Sequence, residues 1–241
     1  MSVLVLENLM KRYHGKTIVN SVSLNVESGR VAGLLGPNGA GKTTTFYMAV
    51  GLIRPDQGRV LVDADDLTEA PMHVRARMGV GYLPQESSVF RKLTALQNVL
   101  VILELRQMSA RARVDRAMEL LSELTIAHLA NERADVLSGG ERRRLEIARA
   151  LASEPKFLLL DEPFAGIDPL AVDEIQGIIR SLAGRGIGVL ISDHNVQDTL
   201  KVCDEATILA EGRVIEFGTP QHIATSPLAM RIYLGEDFRL T

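Results

Sequence analysis

Apolar positions along this chain follow two rhythms, and the change from one to the other divides it. Short, Val- and Leu-rich runs at 3–6, 22–26, 31–35, 59–62 and 80–83, separated by Gly, Asn and Asp, predict strands in the first third. From 94 to 153 the apolar spacing lengthens to every third or fourth residue, in a stretch rich in Leu, Ala, Arg and Glu and poor in Gly and Pro. That pattern predicts helices. Strand-like runs return at 157–160, 189–192, 206–210 and 214–217, alternating with helical segments. Strands alternating with helices predict an α/β fold with a mostly parallel sheet. On this reading residues 1–84 and 156–241 form the core, and a helical subdomain is inserted across 85–155. With no internal repeat, low-complexity tract or flexible linker, the chain reads as one compact unit.

Composition narrows the classes. The 241 residues are 46% hydrophobic and 24% charged, ordinary values for a globular chain. A net charge of -3 provides no pull toward nucleic acid, so no nucleic-acid partner is expected. The basic run Arg142-Arg143-Arg144 falls inside a helical pattern and reads as a solvated helix face. No apolar run approaches the roughly 20 residues that span a bilayer. The opening residues lack a basic leader and a small-residue cleavage site, so secretion is not expected. Cys203, the single cysteine, has no internal partner for a disulfide and reads as a small buried residue in a reducing compartment.

Three segments carry candidate chemistry. Gly36-Pro37-Asn38-Gly39-Ala40-Gly41-Lys42-Thr43 has the spacing of a phosphate-binding loop, fed by the apolar run 31–35 and followed by a helical pattern. Its glycines let backbone N–H groups close around phosphates, and the helix N-terminus adds its dipole. Lys42 would bridge the β- and γ-phosphates of ATP, Thr43 would coordinate Mg²⁺, and Thr44 would bond an adjacent phosphate. Second, the apolar run 157–160 delivers Asp161 and Glu162 to a strand end, where ligands bind in open α/β sheets. Asp161 would hold the magnesium through water, and Glu162 would polarise the water that attacks the γ-phosphate. Third, Leu137-Ser138-Gly139-Gly140-Glu141 opens a helical pattern ending near Ser153, and such an N-terminus is a second anion site. An ordinary serine cap with a flexible lead-in explains this segment taken alone. Since the chain already has a phosphate loop, the economical reading is that Ser138 and Gly140 serve a nucleotide held by another copy.

These motifs, in this order, resemble those of the ATP-binding-cassette ATPases, over nearly the whole length from Tyr13 to Gly218. The resemblance implies a P-loop NTPase core with a mostly parallel sheet, an N-terminal antiparallel β portion and an inserted α-helical subdomain. It also implies roles for residues that are weak signals singly. Gln85, in Tyr82-Leu83-Pro84-Gln85-Glu86, matches the glutamine that joins core to subdomain and senses magnesium. Asp168, in Ala165-Gly166-Ile167-Asp168, matches the acidic residue of the loop crossing the dimer interface. That loop departs from the family's commoner Ser-Ala-Leu-Asp wording but keeps its acid. His194 matches the histidine that contacts the γ-phosphate, and Tyr13 the aromatic on which adenine stacks. In the family, the region after Gln85 forms a groove for a short helix of a membrane subunit. Phe90 is suited to anchoring there and Arg91 to pairing with a partner carboxylate.

Within the family, the segments 33–48, 137–151, 161–168 and 193–196, with the ending Tyr233-Leu234-Gly235-Glu236-Asp237-Phe238-Arg239-Leu240, are similar to ATPase subunits of lipopolysaccharide exporters. This implies a homodimer, peripheral on the cytoplasmic side of a bacterial inner membrane and docked under two membrane-embedded subunits. ATPases of branched-chain amino-acid importers share the middle motifs but not this ending, and remain an alternative beside a soluble, non-transport cassette ATPase. A DNA-repair member would carry a long coiled-coil insertion, and translation-associated members carry two cassettes. A non-hydrolysing module would be expected to lack Lys42, Glu162 or His194. A P-loop GTPase or kinase would leave the Ser-Gly-Gly helix and His194 unexplained.

Overall fold

The computed structural model describes residues 1–240. Two strands form a long N-terminal hairpin, β1 (Val3–Tyr13) and β2 (Lys16–Glu27). β3 (Val31–Leu35) leads into α1 (Lys42–Val50), followed by β4 (Gln57–Val62), β5 (Asp65–Asp66), α2 (Met72–Arg77) and β6 (Val80–Leu83). Three helices come next: α3 (Ala95–Leu103), α4 (Ala110–Glu123) and α5 (Gly139–Leu151). The chain then alternates through β7 (Phe157–Asp161), α6 (Pro169–Gly184), β8 (Gly188–Ser192), α7 (Val196–Val202), β9 (Glu205–Ala210), β10 (Arg213–Gly218) and α8 (Pro220–Thr225).

Two sheets result. One is antiparallel, in the order β2-β1-β4-β5; the other runs β10-β9-β3-β8-β7-β6, parallel except for β10. β3, β7 and β8 are buried at every position, which is why their sequences are apolar runs rather than alternating ones, polar only at the last residue of β7 (Asp161) and of β8 (Ser192). Between the sheets, Leu4, Leu6 and Val60 pack with Phe46 and Met48 of α1 and with Phe157 and Leu159 of β7. A second core joins Val99, Leu103, Leu120, Leu121 and Leu145 of α3–α5 to Leu158 and Leu160 on the opposite face of β7. Thus β7 is the central wall for both cores.

Caps define the helical region. Thr94 accepts from the backbone of Gln97, whose side chain returns the bond, a reciprocal capping box; Ser109 caps α4 in the simpler way. Beyond α8, Tyr233, Leu234, Phe238 and Leu240 pack over Leu35, Leu200, Ile208 and Ile223, so the final segment lies against the end of β3. Two features escaped the hydrophobic rhythm. α2 is one short amphipathic stretch whose buried residue is Arg75, and β5 is two acidic residues paired to β4.

Candidate nucleotide site

Because β3, β8, β7 and β6 are adjacent and parallel, their C-terminal ends open on one edge of the sheet. That edge carries Gly36 after β3, Asp193 and His194 after β8, Asp161 and Glu162 at the end of β7, and Gln85 two residues beyond β6. At the phosphate loop, Gly41 precedes α1 in the left-handed region at φ 103°, and α1 has no capping side chain. Its first-turn N–H groups therefore face the loop without an internal acceptor. Gly36 is obligatory for space, since a Cβ there would lie 2.1 Å from the Leu209 carbonyl oxygen. The buried Lys42 ammonium donates to the carbonyls of Gly36 at 2.6 Å and Pro37 at 3.1 Å. Burial lowers its pKa, while the charges of Glu162, Asp161 and Asp193 pull it back up. Thr43 is exposed and Thr44 partly so, on the first turn of the same helix. Asn38 and Gly39 are exposed on the loop, and Ala40 is buried beneath it.

The acids face this loop. Asp161 is 3% exposed, and burial first, then the neighbouring Glu162 charge, raises its pKa to about 6. Glu162 sits at φ 47°, strained for a residue with a side chain, and its N–H donates to Ser192 O at 2.6 Å. Its Oε2 accepts from Gln85 Nε2 at 2.8 Å and lies 3.4 Å from His194 Nδ1. Asp193, fully buried, accepts from the N–H groups of Phe164 at 3.1 Å and Asn195 at 2.8 Å, and lies 3.4 Å from the same His194 nitrogen. Burial raises the Asp193 pKa. The carboxylates of Glu162 and Asp193, the Gln85 amide and the His194 imidazole thus converge beside the phosphate loop. The loop's N–H groups and Lys42 fit a polyphosphate, and the hydroxyl of Thr43 with the carboxylate of Asp161 offers the hard oxygen donors that suit magnesium.

Residues 19–165 match the family model described as ABC transporter. The chain belongs to the ABC transporter family. It is 53% identical, over 100% of both chains, to the lipopolysaccharide export system ATP-binding protein LptB of Haemophilus influenzae. Identity to the protein of the same name in Escherichia coli K12 is 54%, again over 100% of both. The fold matches a crystal structure of an ATP-binding cassette of an ABC transporter in its ADP conformation, with a TM-score of 0.88, 28% identity and coverage of 98% of this chain and 100% of that one. A cassette solved as a dimer with ADP and phosphate matches at a TM-score of 0.80 and 27% identity, covering 90% and 98%. This ABC ATPase therefore has the mixed α/β cassette fold, with an antiparallel N-terminal sheet and a parallel core.

Other expected residues of the ABC ATPase lie elsewhere. Ser138 caps α5, accepting from Glu141 N at 3.3 Å while its own N–H donates to the Glu141 carboxylate at 2.8 Å. Gly140 is buried where a Cβ would meet Ala171 of α6 at 2.8 Å, so close helix packing alone demands glycine there. Among the described residues no hydrogen bond joins Ser138 or Gly140 to the phosphate loop. Asp168 caps α6 through Ala171 N at 3.0 Å. Tyr13 ends β1, 39% exposed, with Lys11 Nζ 5.7 Å from its ring centroid. Phe90 is 45% exposed and its ring is covered by the Arg149 guanidinium at 4.8 Å; Arg91 is exposed beside it. A groove of about 300 Å³ lined by Met72, Tyr82, Ser88, Ile102 and Arg149 opens at this face.

One expectation is overturned. The run Arg142-Arg143-Arg144 is not a solvated face, because Arg143 is only 6% exposed. Its guanidinium donates to the Pro84 carbonyl at 3.0 Å, the Asp161 carbonyl at 3.1 Å and Glu146 Oε2 at 3.1 Å. Glu146, equally buried, accepts from the Ser87 hydroxyl and the Ser88 N–H, each at 2.8 Å. This pair ties α5 to the segments carrying Gln85 and Glu162. Glu146 three residues after Arg143 on one helix face was the signal available in the sequence.

Proposed function

We propose that this ABC ATPase is the motor subunit of a lipopolysaccharide exporter, working as a homodimer on the cytoplasmic face of a bacterial inner membrane beneath two membrane-embedded subunits. The observation that carries this reading is the identity of 53–54% across the entire length to proteins named for lipopolysaccharide export, which extends through the final segment. Core residues 1–84 and 156–241 hold the nucleotide, and residues 85–155 form the subdomain that presents Ser138 and Gly140 to the other copy.

In this mechanism Lys42 exchanges its two carbonyl contacts for phosphate oxygens, and the N–H groups of Gly39, Gly41, Thr43 and Thr44 cradle the same phosphates. Residues 37, 38 and 40 shape that loop, and Tyr13 stacks on adenine. Thr43, Asp161 and Gln85 would hold magnesium, which when bound offsets the charge of the β- and γ-phosphates. Glu162, near both Gln85 and His194, orients the attacking water and accepts its proton; His194 contacts the γ-phosphate. Ser138 and Gly140 of the second copy close the site, and Asp168 lies in the loop between the two copies. Phe90, standing out of the subdomain surface, anchors a membrane subunit, with Arg91 pairing to a carboxylate of that subunit.

The test is purification of the tagged chain from detergent-solubilised membranes, followed by reconstitution of what co-purifies into lipopolysaccharide-loaded vesicles. ATP-dependent extraction of lipopolysaccharide is the expected result. Co-purification with an amino-acid importer and its uptake activity would contradict the proposal.

A further inference from the structure

The carboxylate of Asp161 receives one hydrogen bond among the described residues, and its donor, three residues before Gln85, has been given no role so far. Tyr82 of β6 donates from its hydroxyl to Asp161 Oδ2 at 3.4 Å. The Tyr82 ring meets the Tyr47 ring edge-on, with centroids 6.5 Å and planes 86° apart. Tyr47 lies on α1 one turn beyond Thr43, so Tyr82 stands between the phosphate-loop helix and the strand that delivers the two acids. Packing against Tyr47 and lining the groove could be done by phenylalanine. Carrying a hydroxyl into this largely covered position costs desolvation unless the hydroxyl is bonded; the Tyr47 side chain lies within its reach, and Asp161 is the carboxylate that accepts from it. The bond engages Oδ2 and leaves Oδ1 without a hydrogen bond. A phenol in this place can donate but competes poorly as a magnesium ligand.

The geometry points to Tyr82 as a positioning residue for Asp161: its hydroxyl fixes the carboxylate orientation in which Oδ1 meets magnesium or a magnesium-bound water. This rests on the assignment of Asp161 to magnesium made above. Residues that orient a metal-binding carboxylate from behind change metal affinity more than they change folding. At 3.4 Å the bond is long for O–H···O, so the effect is severalfold rather than orders of magnitude.

The test uses the full-length chain with Tyr82→Phe, which keeps the ring, and Asp161→Asn. Each is titrated with Mn²⁺ in the presence of a non-hydrolysable ATP analogue and read by the electron paramagnetic resonance of the bound ion and by calorimetry. Tyr82→Phe should raise the metal concentration for half-occupancy by about 3–10-fold and alter the line shape of the bound ion. Metal-free nucleotide binding should not change. In the Asp161→Asn background, Tyr82→Phe should add nothing. If Asp161→Asn loses metal binding but Tyr82→Phe binds Mn²⁺ like wild type, the role of Tyr82 is refuted and the magnesium assignment stands. If Asp161→Asn itself binds Mn²⁺ normally, the assignment fails and the inference with it. A Tyr82→Phe effect that persists in the Asp161→Asn background would show that it acts by another route, and would also overturn the inference.

Discussion

Removing the carboxylate of Glu146 perturbs the point where α5 is tied to the segments carrying Gln85 and Glu162. Glu146 is 3% exposed and Arg143 6%, so Glu146→Ala leaves a guanidinium almost without solvent and without its ion-pair partner, with only the weaker charge of Asp161 nearby. Breaking one partner of a buried ion pair typically costs about 3–5 kcal/mol. Arg143 keeps its carbonyl acceptors at Pro84 and Asp161, which places the cost toward the lower end of that range. The Ser87 hydroxyl and Ser88 N–H also lose their acceptor and must find water. For a chain of this length each kcal/mol moves Tm by roughly 2–4 °C, so a fall of roughly 6–20 °C is expected. Urea denaturation and thermal melting of the isolated protein measure it. Glu146→Gln keeps an acceptor for Ser87 and Ser88 and should cost less than Glu146→Ala. Replacing both partners, as Arg143→Met with Glu146→Leu, should recover much of the loss, because the uncompensated charge goes with it. A Glu146→Ala protein within about 1 kcal/mol of wild type would refute the reasoning, since exposed pairs cost no more than that.

Glu162→Gln should bind Mg²⁺–ATP as wild type does while kcat falls by about 10²–10⁴, measured by nucleotide binding and phosphate release in parallel; normal turnover would remove Glu162 as the base. Asp161, raised to about 6 from an unfolded value near ~3.9, binds its proton more tightly when folded, so the unliganded protein loses up to about 3 kcal/mol from this group as pH rises from about 4 to 6. Asp161→Asn should therefore be more stable than wild type near neutral pH without nucleotide, with a flatter pH profile; a destabilised Asp161→Asn in urea titrations would contradict this. Phe90→Ala removes a half-exposed ring, so the isolated chain should lose about 1–2 kcal/mol and still hydrolyse ATP, while co-purification with the membrane subunits drops. The ~3–5 kcal/mol loss expected of a core phenylalanine would remove Phe90 from that surface.

Much of the parallel sheet was legible in the sequence because β3, β7 and β8 are buried on both faces and have no polar interruptions. The first hairpin was read only in part. β1 continues from the apolar 3–6 through Lys11 and Arg12 to Tyr13, held by pairing to β2 and β4 across register shifts rather than by burial of every second residue. α2 was missed because its anchor is a charge. Arg75, 1% exposed, donates to the carbonyls of Met48, Ala49, Thr68 and Ala70, and a buried arginine reads as a surface residue in any hydropathy pattern. The same bias misplaced Arg143. At the site, the phosphate loop and the acid pair were legible because glycine spacing and a strand end state their geometry locally. The convergence of Gln85, Glu162 and His194 is long-range, set by the order of β6, β7 and β8, and local pattern alone does not reveal it. Nor does the sequence disclose the left-handed backbone of Glu162, since glycine is the usual marker of such a conformation.

The central claim is that one nucleotide is held by the phosphate loop of one copy and the Ser138 segment of another. Cysteines placed beside these two elements, Asn38→Cys and Val136→Cys, are both on exposed positions, and the native Cys203 is buried away from them. In a Glu162→Gln background, a short bifunctional thiol cross-linker should join two chains into a covalent dimer when Mg²⁺–ATP is present, and not when nucleotide is omitted or when Lys42→Ala is added. Cross-linking that is independent of ATP, that is confined within one chain, or that fails altogether would contradict the composite site.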